Sequence, residues 1–154
     1  MIRSASDIGR VSGQLCDYVT PNETEVADIT GVPVNTVDEA RKAGDALLKL
    51  GAKNALITLG ANGPLLHNRE QSVHVPTYKV KVVETTGAGD AFNGAFAVAI
   101  GEGRPPVEAT RFACACAALS VTKAGRRLLQ CQCAARLRRS CRREFKIINL
   151  SIVF

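Results

Sequence analysis

The chain has 154 residues, of which 46% are hydrophobic and 22% are charged, a composition typical of a globular domain rather than of a disordered or fibrous protein. No apolar run reaches the roughly 18 residues that a membrane span requires, and the N-terminus lacks the apolar segment of a secretory signal. These features predict a cytoplasmic protein whose six cysteines are reduced.

The net charge of +6 is distributed unevenly. Residues 1–125 contain 12 Lys and Arg against 13 Asp and Glu, a net charge of −1. Residues 126–154 contain eight against one, a net charge of +7, and they hold three of the cysteines. This shift in composition predicts a domain boundary near residue 125.

Strand and helix signals alternate along the first 125 residues. In chain order they are a short strand at Asp17–Thr20, a helix at Asn22–Thr30 closed by Gly31, an amphipathic helix from Val37 to Leu50 closed by Gly51, a buried parallel strand at Asn54–Leu59, a hairpin of Pro64–His67 and Ser72–Val75, a strand at Lys79–Val83, and Ala-rich helices at about Ala88–Ile100 and Val107–Thr122. The amphipathic helix begins with a T-x-x-E capping box, Thr36 to Glu39. The alternation predicts an α/β, Rossmann-like layered fold.

A Gly-Ala-Gly-Asp turn, Gly87 to Asp90, precedes the first Ala-rich helix. Glycines let backbone amides converge, and a helix N-terminus adds partial positive charge, so such a turn can hold phosphate oxygens. Asp90 would then accept a proton from an attacking hydroxyl. A plain Gly-rich loop with Asp90 as the helix cap explains the four residues equally well. The longer string around them decides between a phosphate-binding turn and a plain loop.

That string, Glu84-Thr-Thr-Gly-Ala-Gly-Asp-Ala-Phe-Asn-Gly-Ala-Phe96, closely resembles the C-terminal signature of the PfkB carbohydrate kinases, and of ribokinases in particular. Thr20-Pro-Asn-Glu-Thr-Glu25 is similar to the family's N-x-x-E segment, and Thr58-Leu-Gly-Ala-Asn-Gly63 to its nucleotide loop. The resemblance covers about residues 16–125. It implies the nucleotide-binding half of a ribokinase-like fold, with the N-terminal half and its lid absent.

The resemblance implies the catalytic roles. Asp90 would deprotonate the hydroxyl of the sugar substrate. The amides of Gly87, Ala88 and Gly89 would stabilise charge on the transferring phosphoryl group.

It also implies a nucleotide and Mg²⁺ site. Asn22 would lie near the phosphates and Glu25 would order Mg²⁺ and its waters, although both alone resemble ordinary surface helix residues. The expected ATP contacts are Thr58, Leu59, Gly60, Ala61, Asn62 and Gly63, which alone would be an ordinary strand exit. Cys114 matches a position near the adenine, and a small buried thiol on a packed helix explains it at least as well.

Members of this family bind a monovalent cation, K⁺, beside the anion hole. The positions implied as ligands, mainly through backbone carbonyls, are Glu84, Thr86, Ser120, Lys123 and Gly125. Glu84 departs from the family pattern, which normally has Asp there. The extra methylene moves the carboxylate, and cation sites respond to cavity size and ligand number.

Two histidines and the tail cysteines are candidates for metal binding. His67 and His74 lie on the two strands of the predicted hairpin, and without a third ligand they indicate solvated strand positions. The tail cysteines, Cys131, Cys133 and Cys141, lack the paired spacing of a zinc site. Because no aromatic residue precedes Phe145 in the basic tail, nucleic acid is not an expected partner.

After Gly125 the chain leaves the family pattern. The family continues with a small, Pro-rich turn and a final helix, whereas this chain reads Arg126-Arg-Leu-Leu-Gln-Cys-Gln-Cys133. With suitable codons, reading that begins two bases later gives Pro-Pro-Pro-Met-Pro-Met. We therefore hypothesise that residues 126–154 are frameshifted and poorly ordered, and that residues 1–15 are a leader outside the family.

The function implied by the resemblance is ATP-dependent phosphorylation of a sugar hydroxyl, with D-ribose converted to ribose 5-phosphate. The alternative is a truncated, non-catalytic fragment with weak nucleotide binding. The expected partners are ATP and a small sugar, without nucleic acid or a membrane. Homodimers are expected of the intact family, where the lid often mediates them.

Overall fold

The computed structural model describes residues 16–122 and 147–148. The chain divides into two compact units. The sheet unit consists of Met1–Val75 and Lys146–Phe154, and the helical unit consists of Pro76–Phe145. The predicted boundaries at residues 15 and 125 both fall beside residues outside the described part, and they stay predictions.

The described strands of the sheet unit form one mixed sheet in the order β4-β3-β2-β1-β5. Its elements are β1 (Tyr18–Val19), α1 (Glu23–Thr30), α2 (Val37–Lys49), β2 (Asn54–Ile57), a 3₁₀ turn (Gly60–Asn62), β3 (Leu65–Asn68), β4 (Ser72–His74) and β5 (Ile147–Ile148). β1 runs parallel to β2 and β5, whereas β2–β3 and β3–β4 are antiparallel. Parallel strands need a crossover connection, and α1 with α2 supplies it between β1 and β2.

The core of the sheet unit lies between its helices and the sheet. The buried residues of α2 are Ala40, Ala43, Gly44 and Leu47, which recur at helical spacing. Ala40, Ala43 and Leu47 join residues of α1 and of the strands in one hydrophobic cluster. The apolar residues of the amphipathic pattern therefore form the face of α2 that packs against β2 and β3.

His67 is buried, with 8% of its surface exposed, so the prediction of a solvated position is wrong. Its Nδ1 lies 3.0 Å from Ser72 Oγ, and its Nε2 lies 3.0 Å from Asp45 Oδ1. The ring lies against Gly44, where a Cβ atom would be 2.7 Å from His67 Cδ2. Because residue 44 is a glycine, α2 leaves room for the imidazole ring there. Both ring nitrogens have polar neighbours.

The helical unit contains α3 (Ala88–Gly101) and α4 (Pro106–Ser120), which pack against each other. Alanines at their contact faces, such as Ala95 and Ala113, are fully buried. The Phe92 and Phe96 rings stack with centroids 6.4 Å apart. Both predicted Ala-rich helices are confirmed within two residues at each end.

The predicted strand at Lys79–Val83 is wrong: these residues form no strand in the part of the chain that the structure describes. Tyr78 and Val82 are more than half exposed. The Val-rich pattern has high β propensity, but propensity reflects packing against neighbouring strands and cannot supply one. At the end of the segment, the amides of Val83 and Glu84 donate to the carbonyl of Val121, at 2.7 and 3.2 Å.

Two further local predictions are confirmed. Gly31, with φ of +71°, ends α1 as predicted, and the hairpin forms from β3 and β4. The tail lies outside the described residues except for β5, a short strand in the apolar end segment. Across residues 16–122 and 147–148, no helix has both the length and the apolar character needed to cross a membrane.

Candidate active site

The N-x-x-E segment and the predicted nucleotide loop meet at one edge of the sheet. Asn22 and Thr58 form a parallel bridge, and Thr58 N donates to Pro21 O at 2.9 Å. Both segments follow parallel strands, β1 and β2, so they emerge at the carboxyl ends of those strands. In open α/β sheets this is the edge at which ligands bind.

Asn22 and Glu25 hold each other in a capping box at the start of α1. Glu25 N donates to Asn22 Oδ1 at 2.9 Å, and Asn22 N donates to Glu25 Oε2 at 2.8 Å. Both side chains are half-buried. The cap engages Oδ1 of the Asn22 amide, whereas Nδ2 is the atom that would donate to a phosphate. In Glu25 the second oxygen, Oε1, is the one that suits Mg²⁺ or its waters.

Removing the Asn22 side chain should therefore destabilise the fold and weaken ATP binding. The capping box at Thr36 allows the two effects to be separated. Asn22→Ala and Thr36→Ala each remove the N-cap of a capping box and should each lower the free energy of unfolding by about 1 kcal/mol. Thr36 lines the cleft beside the nucleotide loop but is assigned no phosphate contact, so we expect Asn22→Ala to weaken ATP binding by more than Thr36→Ala does. Urea denaturation and calorimetric titration with ATP measure the two effects, and equal ATP affinity in both variants would contradict the role of Asn22.

The predicted nucleotide loop is an exposed turn with a buried start. Leu59 is only 4% exposed and belongs to the hydrophobic core, so its backbone rather than its side chain is the part that can face a ligand. Gly60, Ala61 and Asn62 form the exposed 3₁₀ turn that follows. A cleft of about 430 Å³ flanks this turn, lined in part by Glu23, Thr24, Asn35, Thr36, Leu59 and Asn62.

In the helical unit, Gly87 is the N-cap of α3. Its φ of +83° is left-handed, a conformation that glycine adopts without the strain a Cβ atom would cause. Ala88 N donates to Thr85 O at 3.1 Å, so that amide is engaged inside the turn. The amides of Gly89 and Asp90 follow in the first helical turn, where no intrahelical carbonyl is available to them. Together with the helix dipole they suit an anion.

Asp90 is exposed in the first turn of α3 and is not its N-cap. The capping position belongs to Gly87, so the interpretation of Asp90 as a simple helix cap is wrong. Its carboxylate stands at the positive end of the helix, beside the amides of the turn. A hydroxyl that attacks a phosphoryl group held at this helix end would have a proton acceptor at hand.

Asn93 was missed by the sequence analysis. It lies one helical turn after Asp90, and its Oδ1 is buried without a hydrogen-bond partner among the described residues. A buried acceptor without a donor is costly, so a donor from a ligand or water would be stabilising there. The only sequence signal was its place inside the Glu84–Phe96 string.

Comparison with known proteins decides the family. Residues 3–130 match the model of the pfkB family of carbohydrate kinases. The chain belongs to this family. A Haemophilus influenzae ribokinase is 42% identical over 111 residues, which are 72% of this chain and 36% of that protein. A Salmonella typhi deoxyribokinase is 49% identical over 82 residues, 53% of this chain and 27% of that protein.

A solved structure agrees in fold. The Arabidopsis thaliana ribokinase complexed with ribose and ATP matches with a TM-score of 0.71 and 37% identity, over 78% of this chain and 38% of that one. The ribokinase-like α/β fold is thus confirmed. The chain spans well under half the length of these pfkB relatives.

The positions that the pfkB resemblance assigns to a monovalent cation are only partly described. Glu84 N donates to Val121 O, which ties the Glu84 segment to the end of α4, next to Ser120. Ser120 Oγ donates to Ala117 O at 2.7 Å, so its carbonyl is the group suited to an ion. Thr86 is exposed. Lys123 and Gly125 lie outside the described residues.

Among the described residues, no three His, Cys, Asp or Glu side chains cluster as a metal cage. Mg²⁺ at a kinase site is usually held by one or two carboxylates together with substrate phosphates and water, which Glu25 suits. His74 instead contacts the backbone oxygen of Asn62 through Nε2, at 2.7 Å.

Cys114, the position matched to the adenine side, is a buried thiol on α4 with 2% exposure. Burial away from water raises its pKa to about 11, because the thiolate is disfavoured there. A hydrogen bond with its own backbone lowers the pKa, but the effect of burial is the larger of the two.

This thiol should be unreactive in the folded chain. At pH 8 we expect iodoacetamide to modify Cys114 far more slowly than Cys116, which is half-buried on the same helix, because the thiolate is the nucleophile. The rate at Cys114 should rise as the pH approaches 11. Peptide mapping by mass spectrometry measures both rates, with urea-unfolded chain as the control. Equal rates in folded and unfolded chain would contradict the burial of Cys114.

Proposed function

We propose that this chain carries the phosphoryl-transfer centre of a sugar kinase that phosphorylates a primary hydroxyl from ATP, with D-ribose converted to ribose 5-phosphate. The observation that carries the proposal is the turn at the start of α3. Gly87 adopts the left-handed conformation at the helix N-cap, and Asp90 is exposed in the first helical turn. A helix N-terminus suited to phosphate and a carboxylate able to accept a proton thus occur in one turn.

In this proposal the chain binds ATP mainly through backbone groups. The exposed turn Gly60–Asn62 faces the nucleotide at the carboxyl edge of β1 and β2, and the side-chain Nδ2 of Asn22 donates to its phosphates there. The amides of Gly89 and Asp90 stabilise charge on the transferring phosphoryl group. Asp90 accepts the proton of the attacking sugar hydroxyl. Positioning and electrostatic stabilisation contribute most of the rate in reactions of this class.

Mg²⁺, when bound with ATP, neutralises charge on the phosphates, and Glu25 is the carboxylate that would hold it or its waters. K⁺ binding at Glu84, Thr86 and Ser120 stays a prediction, as do the cytoplasmic location and the homodimers expected of the intact family.

The choice of sugar is supported by names among the relatives. The Haemophilus protein is a ribokinase and the Salmonella protein a deoxyribokinase, so the two candidate sugars differ by the hydroxyl at C2. The test is to incubate the purified chain with ATP and Mg²⁺ and either ribose or 2-deoxyribose, and to quantify the sugar phosphate by mass spectrometry. We expect a higher kcat/KM with ribose. Preference for deoxyribose would overturn the choice of sugar and leave the kinase proposal intact.

A second candidate function is ATP binding without turnover. It applies to this chain assayed by itself, because the matched segments span only 27%, 36% and 38% of the three relatives named above. The same assay separates the two candidates. Sugar phosphate formation that disappears in Asp90→Asn supports the kinase, whereas ATP binding without product from either sugar supports the second candidate.

A further inference from the structure

A histidine outside the family motifs contacts the proposed nucleotide loop. His74 is the last residue of β4, and its Nε2 lies 2.7 Å from the backbone carbonyl oxygen of Asn62. A carbonyl oxygen can only accept, so Nε2 carries the proton and donates it. The bond connects the hairpin strand to the exposed turn that follows β2.

We propose that His74 is a positioning residue for ATP, which holds the Gly60–Gly63 loop in its binding conformation. The inference rests on the proposed function, because it assumes that this loop contacts the nucleotide. His74 itself is not assigned a contact with ATP. It acts through the Asn62 carbonyl.

The geometry of the peptide unit explains how one bond can set the shape of the loop. A trans peptide is planar, and its carbonyl and its amide point in opposite directions. Fixing the carbonyl of Asn62 therefore fixes the amide of Gly63, which donates to Gly60 O at 3.2 Å and closes the turn. One side-chain bond from β4 thus determines the peptide plane at the end of the loop.

Apart from the His74 bond, the described anchors of the loop are the Leu59 side chain and backbone hydrogen bonds. Within the turn, Asn62 N donates to Leu59 O at 2.9 Å. The side chain of Leu59 is buried in the core before the turn, and after the turn Val75 N donates to Pro64 O at 2.9 Å. Gly60, Ala61 and Asn62 between these points are exposed. An exposed turn that has to be ordered on binding loses conformational entropy at that moment, whereas a turn held in advance does not.

The chain offers a matched control on the same strand. Ser72 also makes one bond to a histidine, His67 Nδ1 at 3.0 Å, but that bond lies within the hairpin and does not reach the loop. Ser72→Ala and His74→Ala each remove one side-chain hydrogen bond from β4. Loss of hairpin stability alone would affect both variants in the same way.

The test compares ATP affinity and melting temperature of the full chain and four variants by calorimetric titration and thermal denaturation. We expect His74→Ala and His74→Leu to bind ATP about three- to tenfold more weakly, the loss of roughly one hydrogen bond. His74→Gln, whose amide can donate to the same carbonyl, should stay within about twofold of the unmodified chain. Ser72→Ala should keep the affinity although its melting temperature falls.

Three outcomes would overturn the positioning role: unchanged affinity in His74→Ala and His74→Leu, failure of His74→Gln to restore affinity, or equal weakening in Ser72→Ala. In each of these the unmodified chain still binds ATP, so the proposed function survives. An unmodified chain that binds no ATP would instead refute the proposed function and this inference together.

Discussion

Replacing Asp90 with Asn should lower the rate of sugar phosphorylation about 10²- to 10⁴-fold, the usual contribution of general base catalysis. Asparagine has nearly the same shape and can still accept a hydrogen bond, but it cannot take up the proton of the attacking hydroxyl. Because Asp90 is exposed in the first turn of α3, the change should leave the fold intact. ATP affinity should stay within about twofold, since binding precedes the proton transfer.

A suitable control for Asp90→Asn is Asp38→Asn. Asp38 is also an exposed carboxylate in the first turn of a helix, α2, so both variants lose a similar interaction with a helix dipole. Asp38→Asn also weakens an exposed ion pair with Arg41, which contributes little to stability. Phosphorylation by the purified chain, followed with ribose and ATP, should fall only in Asp90→Asn. A rate for Asp90→Asn equal to that of the unmodified chain would remove Asp90 from the mechanism.

Gly44→Ala should destabilise the chain by about 1–3 kcal/mol, the usual cost of overpacking a core. In an ordinary helix interior the same change stabilises by about 0.5–1 kcal/mol. The sign reverses here because the new Cβ atom would lie 2.7 Å from His67 Cδ2. The ring cannot move away easily, since Asp45 and Ser72 hold its two nitrogens.

Gly94→Ala serves as the control, because a Cβ atom at that helical position meets nothing within 4 Å. It should stabilise the chain by about 0.5–1 kcal/mol. A double-variant cycle makes the test stricter: in a His67→Ala background the Gly44→Ala change should no longer destabilise. Urea denaturation followed by circular dichroism measures all four variants. Stabilisation by Gly44→Ala in the presence of His67 would show that the close approach is not rigid.

Local elements were predictable because their signals lie within one helical turn of the sequence. The capping box of Thr36 and Glu39 and the glycine that ends α1 involve residues three or four positions apart at most. The hairpin of β3 and β4 is similarly local. Lys79–Val83 had an equally good pattern but failed, because a strand also requires a neighbouring strand that the pattern cannot specify.

The candidate site was predictable only as a set of motifs. The resemblance of Glu84–Phe96 and of two shorter segments named the family, which the family match confirms. The role that the resemblance assigns to Asp90 stays a prediction. That Gly87 rather than Asp90 caps α3 required the backbone dihedral angle. The unpartnered Oδ1 of Asn93 required knowledge of burial, which no spacing of residue types provides.

The sequence by itself therefore determined the helices, the hairpin and the family, because each depends on neighbouring residues or on a long motif, and it predicted the chemistry of the Gly-Ala-Gly-Asp turn. Only the tertiary structure decided that Asn22 meets Thr58 at the carboxyl edge of the sheet. It likewise decided that His67 is buried against Gly44 and that His74 contacts the loop at Asn62. These contacts depend on strand order and register, which arise from long-range pairing. A shift of one residue in register would turn each side chain to the other face of the sheet.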